Sequence, residues 1–313
     1  MSRQYTTDAL INSIQMRAAI PLNQSTFTRA QVLLFATDEM STSVIPMVRA
    51  NRTQHFITSS DTTTTTSTSY DIPAGAMNRG LFNVTMVNAQ SVEYALVPMD
   101  FDREIDSLAP GFQPTPNSPA RYYVRGDKLY LYPSVSAGLT LRMHFELLPN
   151  RLCLSAAYTN PTETAEAGLV TGSSGGVITC AGGVPSTITT STPICAISST
   201  PGFGLRFSAV TPSGKAATTV TVSAANQALV AVGDWIALDG DSPIVQLPIE
   251  THPILAQCTA VKLLEALGDE GVVVAQQKRD EALNGYKSNF PVRVEQAAPK
   301  IGSRNRLADF VMQ

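Results

Sequence analysis

The stretch Val232 to Asp269, VGDWIALDGDSPIVQLPIETHPILAQCTAVKLLEALGD, joins a β ending to a helical one with no linker between them. Val232–Gly233–Asp234 leads into a short apolar strand, Trp235 to Leu238. A crossing marked by Pro243 and Pro248 follows. Pro253 then stands where the first turn of a helix tolerates a proline. Leu255, Cys258, Val261, Leu264 and Leu267 recur as a helical stripe, and Gly268 is placed to stop it. A β module is therefore set into a helical frame, and the other half of that frame must come from the N-terminus.

The N-terminus supplies it. Thr6 or Thr7 can cap a first helix, with Leu10, Ile11, Ile14 and Ala18 on one face and Pro21 ending it. Thr28, with Phe27 before it and Gln31 three residues on, reads as a capping box with a staple residue. Val32, Leu33, Phe35, Met40 and Val44 continue that second helix, and Pro46 should kink or end it. Helices 7–20 and 28–45 are expected to pack on helices near 252–267 and 271–286, because each carries one stripe that must be buried.

Between these halves the pattern is β. Ser59 to Ser69 is a Ser/Thr tract with little to bury, read as a flexible loop or an edge hairpin. Strands are predicted at Leu81–Val87, Glu93–Val97, Arg121–Val124, Leu129–Tyr132 and Leu139–Glu146. In the last of these, alternation at Leu139, Leu141, Met143 and Phe145 puts one face on a core. Gly126–Asp127 closes a hairpin, and Asp102 to Leu108 reads as a short helix. From Ala167 to Gly233 only Arg206 and Lys215 are charged. Val177–Ile178–Thr179 and Val220–Thr221–Val222 are expected strands of a small inserted barrel or sandwich. The tail from Phe290 to Gln313 has Pro291 and Pro299 and no helical stripe. It reads as an extended arm carrying Lys300, Arg304 and Arg306 and ending in apolar Leu307, Phe310 and Val311.

The fold class expected is thus α+β, with a helical bundle from the N- and C-terminal helices, a central antiparallel β region, an inserted β-barrel or sandwich and an extended arm. The divisions are 1–55, 56–160, 161–245, 246–289 and 290–313.

Bulk properties narrow the function. Net charge is -3, with 22 basic and 25 acidic residues, so the chain as a whole has no general pull on DNA phosphates or anionic lipid. Only 15% of residues are charged, compatible with extensive packing on other subunits or with an exposed polar β-protein. Cys153, Cys180, Cys195 and Cys258 lack metal-ligand spacing. They are expected as free thiols in a reducing cytoplasm, with a Cys180–Cys195 bridge as the alternative. The N-terminus lacks an apolar signal core and no apolar run reaches membrane-spanning length, so a soluble protein without membrane association is expected.

Candidate chemical sites mostly have structural readings. Arg125–Gly126–Asp127 spells an adhesion tripeptide but falls at a hairpin turn. Asp100, Asp102, Glu104 and Asp106 lack a calcium-loop glycine and are expected to coat a short helix. Asp239 and Asp241 flank Gly240 in a turn, with calcium there a minority reading. His144 and His252 have no Ser, Cys or Asp partner at motif spacing. Ser173–Ser174–Gly175–Gly176 lacks the Lys and helix of a phosphate loop. No nucleophile–base pair, carboxylate pair or metal set emerges, so no enzyme, cofactor or metal is expected.

Four stretches together resemble the head-to-tail adaptor proteins of tailed bacteriophages, also called neck or head-completion proteins. They are TTDALINSIQMRAAIPLNQSTFTRAQVLLFATDEM, SYDIPAGAMNRGLFNVTMV, ARYYVRGDKLYLYPSVSAGLTLRMHFELLPNRL and the Val232–Asp269 segment. Their order and spacing carry the resemblance. It implies a structural virion protein, made in the host bacterial cytoplasm and placed in the neck. It also implies a ring of identical subunits, usually twelve-fold, under the portal of a DNA-filled capsid. The implied partners are the portal protein, a tail tube, nozzle or further neck protein, other copies of the chain, and genomic DNA passing through the lumen without sequence recognition. Lys300, Arg304, Arg306, Leu307, Phe310 and Val311 are the candidate portal-docking residues. The alternative, suggested by the Ser/Thr-rich insert, is a carbohydrate-binding or adhesive β-protein of a viral or bacterial surface.

Overall fold

The computed structural model describes residues 6–20, 26–52, 55–65, 67, 69–73, 75–88, 91–99, 121–132, 137–155, 164–199 and 204–289. They form a mixed α+β fold with several antiparallel sheets. The expected helix at 102–108 and the arm from 290 onward lie outside the described residues.

Helix α1 spans Thr7–Arg17, and the Thr6 side chain accepts from the Ala9 amide as its N-cap. Helix α2 spans Arg29–Glu39 and opens with the full capping box: the Thr28 hydroxyl takes the Gln31 amide while the Gln31 side chain takes the Thr28 amide. The chain then runs through a π-helical turn, Met40–Val44, into α3, Ile45–Arg52. Pro46 does not end the helical run. The Ile45 amide donates to the Met40 carbonyl, five residues back, so the ladder is already offset when the proline ring arrives. The proline then falls in the first turn of α3, where a missing N–H costs little.

After the β elements come the short α4 (Ala224–Ala228), the long α5 (His252–Leu267) and α6 (Val272–Asn289). Pro253 lies in the first turn of α5. Gly268 ends α5 with φ 67, the left-handed conformation that a Cβ penalises. Helices α1, α2 and α6 all pack on α5. One apolar cluster holds Leu10, Ile11, Ile14, Val32, Leu33, Leu255, Cys258, Val261 and Leu264 together. Leu267 does not join it: the end of α5 projects into solvent and leaves this residue 39% exposed.

The central β region is two four-stranded sheets. One has the order β1-β8-β3-β4, with β1 Ile57–Thr63, β3 Ala76–Val87, β4 Glu93–Ala95 and β8 Thr140–Leu147. The other has the order β2-β7-β6-β5, with β2 Ser69–Asp71, β5 Val97–Pro98, β6 Arg121–Arg125 and β7 Lys128–Tyr132. Their inner faces share a core, in which Tyr70, Tyr122, Leu129 and Leu131 meet Val84, Met86, Leu141, Met143 and Phe145. Strand β8 alternates strictly, with Leu141, Met143, Phe145 and Leu147 buried. The first part of the Ser/Thr tract forms neither a loop nor a hairpin. It is the edge strand β1, paired antiparallel with β8 from Ile57↔Glu146 to Thr63↔Thr140. A polar strand needs no buried face of its own when a central neighbour supplies its hydrogen bonds.

The insert is a seven-stranded sheet of order β13-β12-β16-β10-β11-β15-β14. Its strands are β10 Ala167–Ser174, β11 Val177–Ala181, β12 Ile194–Ile197, β13 Leu205–Val210, β14 Gly214–Lys215, β15 Thr219–Thr221 and β16 Trp235–Leu238. The order has two ends, so the expected barrel is not closed. Its central strands are covered on both faces. On β12 and β16, Ile194, Ala196 and Ile236 join one cluster, while Cys195, Ile197, Trp235 and Ala237 join another with Cys153 and Ile244. Double coverage explains why ICAI and WIAL read as continuous apolar runs instead of alternating ones. A short parallel ladder, β9 (Arg151–Leu152) with β17 (Asp241–Ser242), ties the end of the central region to the exit of the insert.

Candidate functional site

The six sequence-predicted docking residues, Lys300, Arg304, Arg306, Leu307, Phe310 and Val311, lie outside the described residues, as do Asp100, Asp102, Glu104 and Asp106. The other singled-out groups have structural partners. Gly126 is the first residue of a two-residue turn between Arg125 and Lys128, so the adhesion tripeptide is a hairpin corner. Gly175 and Gly176, with φ 58 and 80, turn β10 into β11 between Ser174 and Val177. Positive φ at both positions is the type I′ hairpin geometry. His144 Nε2 stands 3.7 Å from a Glu93 carboxylate oxygen. His252 is fully buried, with Nε2 3.1 Å from the Leu247 carbonyl, and burial pushes its imidazole down to about 4.

The four cysteines are free and buried. Burial pushes Cys180 and Cys258 up to about 11 and Cys195 up to about 12, and holds Cys153 well above the ordinary range. Such thiols stay protonated and are poor nucleophiles and ligands. Among the described residues no group of His, Cys, Asp and Glu is arranged to hold a metal.

Asp241 is taken by Arg151, which donates to its two carboxylate oxygens at 2.8 and 3.0 Å. Asp239 accepts from the Ala209 amide at 2.9 Å. The Arg151–Asp241 pair belongs to a polar seam where the end of the central β region, the exit of the insert and the helices meet. Along it the Asn150 side chain donates to the Asp241 carbonyl at 3.2 Å. The Leu152 amide donates to the Thr37 hydroxyl on α2 at 3.2 Å. Asp8 on α1 accepts from both Arg29 on α2 and the Ser155 hydroxyl. Charge-assisted bonds in fixed pairs orient the layers; they offer no free group for chemistry.

Among the described residues two surface features stand apart from these bonds. A groove of about 750 Å³ lies where the π turn and α3 pass the ends of β3 and β8, walled by Ile45, Pro46, Met77 and Leu148. The Arg49–Glu146 pair, at 2.8 Å, closes one side of it. The second is the outer face of the β6–β7 hairpin. Register places Arg121 opposite Tyr132, Tyr123 opposite Tyr130 and Arg125 opposite Lys128. Tyr122, Leu129 and Leu131 point into the core, so these six side chains share the outside. The Tyr123 and Tyr130 rings stack with centroids 4.9 Å apart and planes 4° from parallel. The opposite outer face of the sandwich is different: Arg142 donates to both oxygens of Asp61 and to Glu93, cancelling its charge.

The hairpin was predicted from its turn, but its face was missed. The signal was present in RYYVRGDKLYLY as a period-two alternation of cations and tyrosines, which only the register resolves into a surface.

No curated protein matches the chain. The sequence pattern of the SU10 adaptor protein family matches residues 10–172, which takes in most of α1, all of α2 and α3, both sheets of the sandwich and the start of the insert. With just over half its length matched, the chain belongs to the SU10 adaptor protein family and is a phage structural adaptor.

Proposed function

We propose that the chain is the subunit of a ring, twelve-fold in number, that joins the portal of a DNA-filled phage capsid to the tail and surrounds the DNA exit channel. Family membership over 10–172 is the observation that carries this reading. A ring needs two different surfaces on each subunit that meet head to tail. A helical layer at one side and a seven-stranded insert at another supply surfaces of unlike shape. The divisions 1–55, 56–160, 161–245, 246–289 and 290–313 are the working parts in this reading: helical frame, β region, insert, completing helices and arm. The N- and C-terminal helices act as one bundle, and the arm's Lys300, Arg304, Arg306, Leu307, Phe310 and Val311 dock on the portal. Burying those three apolar side chains offers roughly 1.5–3 kcal/mol each before ordering costs, and the ring repeats the contact. The protein works in the virion neck without catalysis; its high-pKa thiols and its committed carboxylates support that.

The test is the mass of the purified protein, alone and mixed with portal. A ring that binds portal is expected. A monomer that never associates with portal sinks the proposal. Deleting 297–313 should leave a folded ring that no longer attaches to capsids, so heads lose tails or leak DNA. Infectious particles at normal yield from that truncation would move the anchor elsewhere.

A further inference from the structure

We infer that the outer face of the β6–β7 hairpin is a contact surface for the phosphodiester backbone of double-stranded DNA. Four of the chain's nine tyrosines, Tyr122, Tyr123, Tyr130 and Tyr132, fall between residues 121 and 132. Three of them share the outer face with Arg121, Arg125 and Lys128, in cross-strand pairs of known register. Cations interleaved with aromatic hydroxyls at strand spacing suit a row of phosphates, because arginine, lysine and tyrosine all donate to phosphate oxygens. Set against Asp71 and Asp127, the three cations leave an excess of one positive charge at the hairpin, in a chain whose overall balance is -3.

The geometry favours the backbone over the bases. Tyr123 and Tyr130 already cover each other's inner ring faces at 4.9 Å, so a base could not slide between them. Arg125 sits at the exposed corner of the hairpin. Lys128 reaches Asp71 at 3.1 Å, but both partners are open to water, and such a pair exchanges readily for another anion. A surface with no base-edge donors in a groove carries no sequence preference, as a channel that passes a whole genome requires. The inference rests on the connector reading for the source of the DNA; the affinity of the face does not depend on it.

The experiment uses the full chain and a fluorescent mixed-sequence duplex of about 30 base pairs, titrated at about 50 and about 200 mM salt and read by anisotropy. Wild type should bind the duplex at the lower salt and weaken steeply at the higher. Arg125→Glu should weaken binding at least tenfold at the lower salt, and Arg125→Ala should flatten the log–log salt slope by about 1. Arg125→Lys should restore the slope, and Arg142→Ala, on the opposite face, should change nothing. Four results overturn the inference: no duplex binding by wild type; Arg125→Glu binding like wild type; single strands bound more than tenfold tighter than duplex; or salt-independent binding of a neutral oligosaccharide at this face that Tyr130→Ala removes. Ring mass and portal binding are measured on the same Arg125→Glu sample. A ring that keeps portal but loses DNA supports the inference. Wild type that forms no ring, yet loses DNA affinity on Arg125→Glu, keeps the hairpin and sinks the connector reading.

Discussion

Helix α5 and strand β8 are both central, yet they are buried in opposite ways. From Ile254 to Val261, α5 is covered almost all round, including its polar residues. Those residues are satisfied locally or by neighbouring helices: Thr259 donates to the Leu255 carbonyl, while Gln257 donates to the Ala275 carbonyl on α6 and accepts from Arg17 on α1. Strand β8 buries every second residue and leaves the rest half-buried on its outer side, where Arg142 and His144 meet carboxylates. A helix walled by α1, α2 and α6 depends on segments from both ends of the chain. A strand in a sandwich needs only its inner face. The fold should therefore be far less tolerant of charge along α5 than along the outer side of β8.

The comparison breaks most visibly at Leu264, which is 5% exposed in the helical core. Leu264→Asp places an unpaired carboxylate there and should cost on the order of 3–5 kcal/mol, melting the frame and abolishing assembly. A variant that melts normally and still builds rings would show that α5 is not the shared wall.

A smaller effect is expected at the start of α5. His252 has an ordinary value of 6.5 and is held down to about 4 in the fold by burial. Between those values the unfolded chain binds the proton that the folded chain refuses. Stability from this group is complete above about pH 7 and falls as pH drops through the window from 6.5 to 4. The loss between pH 7.5 and pH 5 should be about 2 kcal/mol. Urea unfolding at the two pH values measures it, and His252→Asn should lack the dependence. Equal slopes in both proteins would place the acid sensitivity elsewhere.

The smallest effect belongs to β8's outer side. Arg142→Ala removes bonds to Asp61 and Glu93 at 2.8, 2.9 and 3.0 Å, all near solvent. Its melting temperature should drop only slightly, and the difference should vanish in about 1 M salt. A drop comparable to that of Leu264→Asp would mean that the outer face is structural after all.

Much of the local structure was legible because it is written in short-range chemistry. The Thr28–Gln31 capping box, the Gly268 stop and the alternation of β8 each depend on a few neighbouring residues. Pro46 misled because its steric rule assumes an α ladder, and a π turn had already shifted that ladder. The Ser/Thr tract misled because a strand can be stabilised wholly by its neighbour. The candidate site divided in the same way. The predicted arm, 290–313, lies beyond the described residues, while the hairpin face was hidden in a segment read correctly as a hairpin.

By itself the sequence determined the caps that start α1 and α2 and the glycine that stops α5, which face of β8 is apolar, and that a β module is set within helical segments. These follow from propensity, capping and periodicity, which act over a turn or a strand. Only the tertiary structure decided that the insert is an open seven-stranded sheet, that Arg151 and Asp241 clamp its exit to the end of the central β region, and that three tyrosines and three cations share one outer face. Each of those depends on strand order and register between residues far apart in the chain. A one-residue slip in register would exchange the inner and outer faces without altering a single local signal.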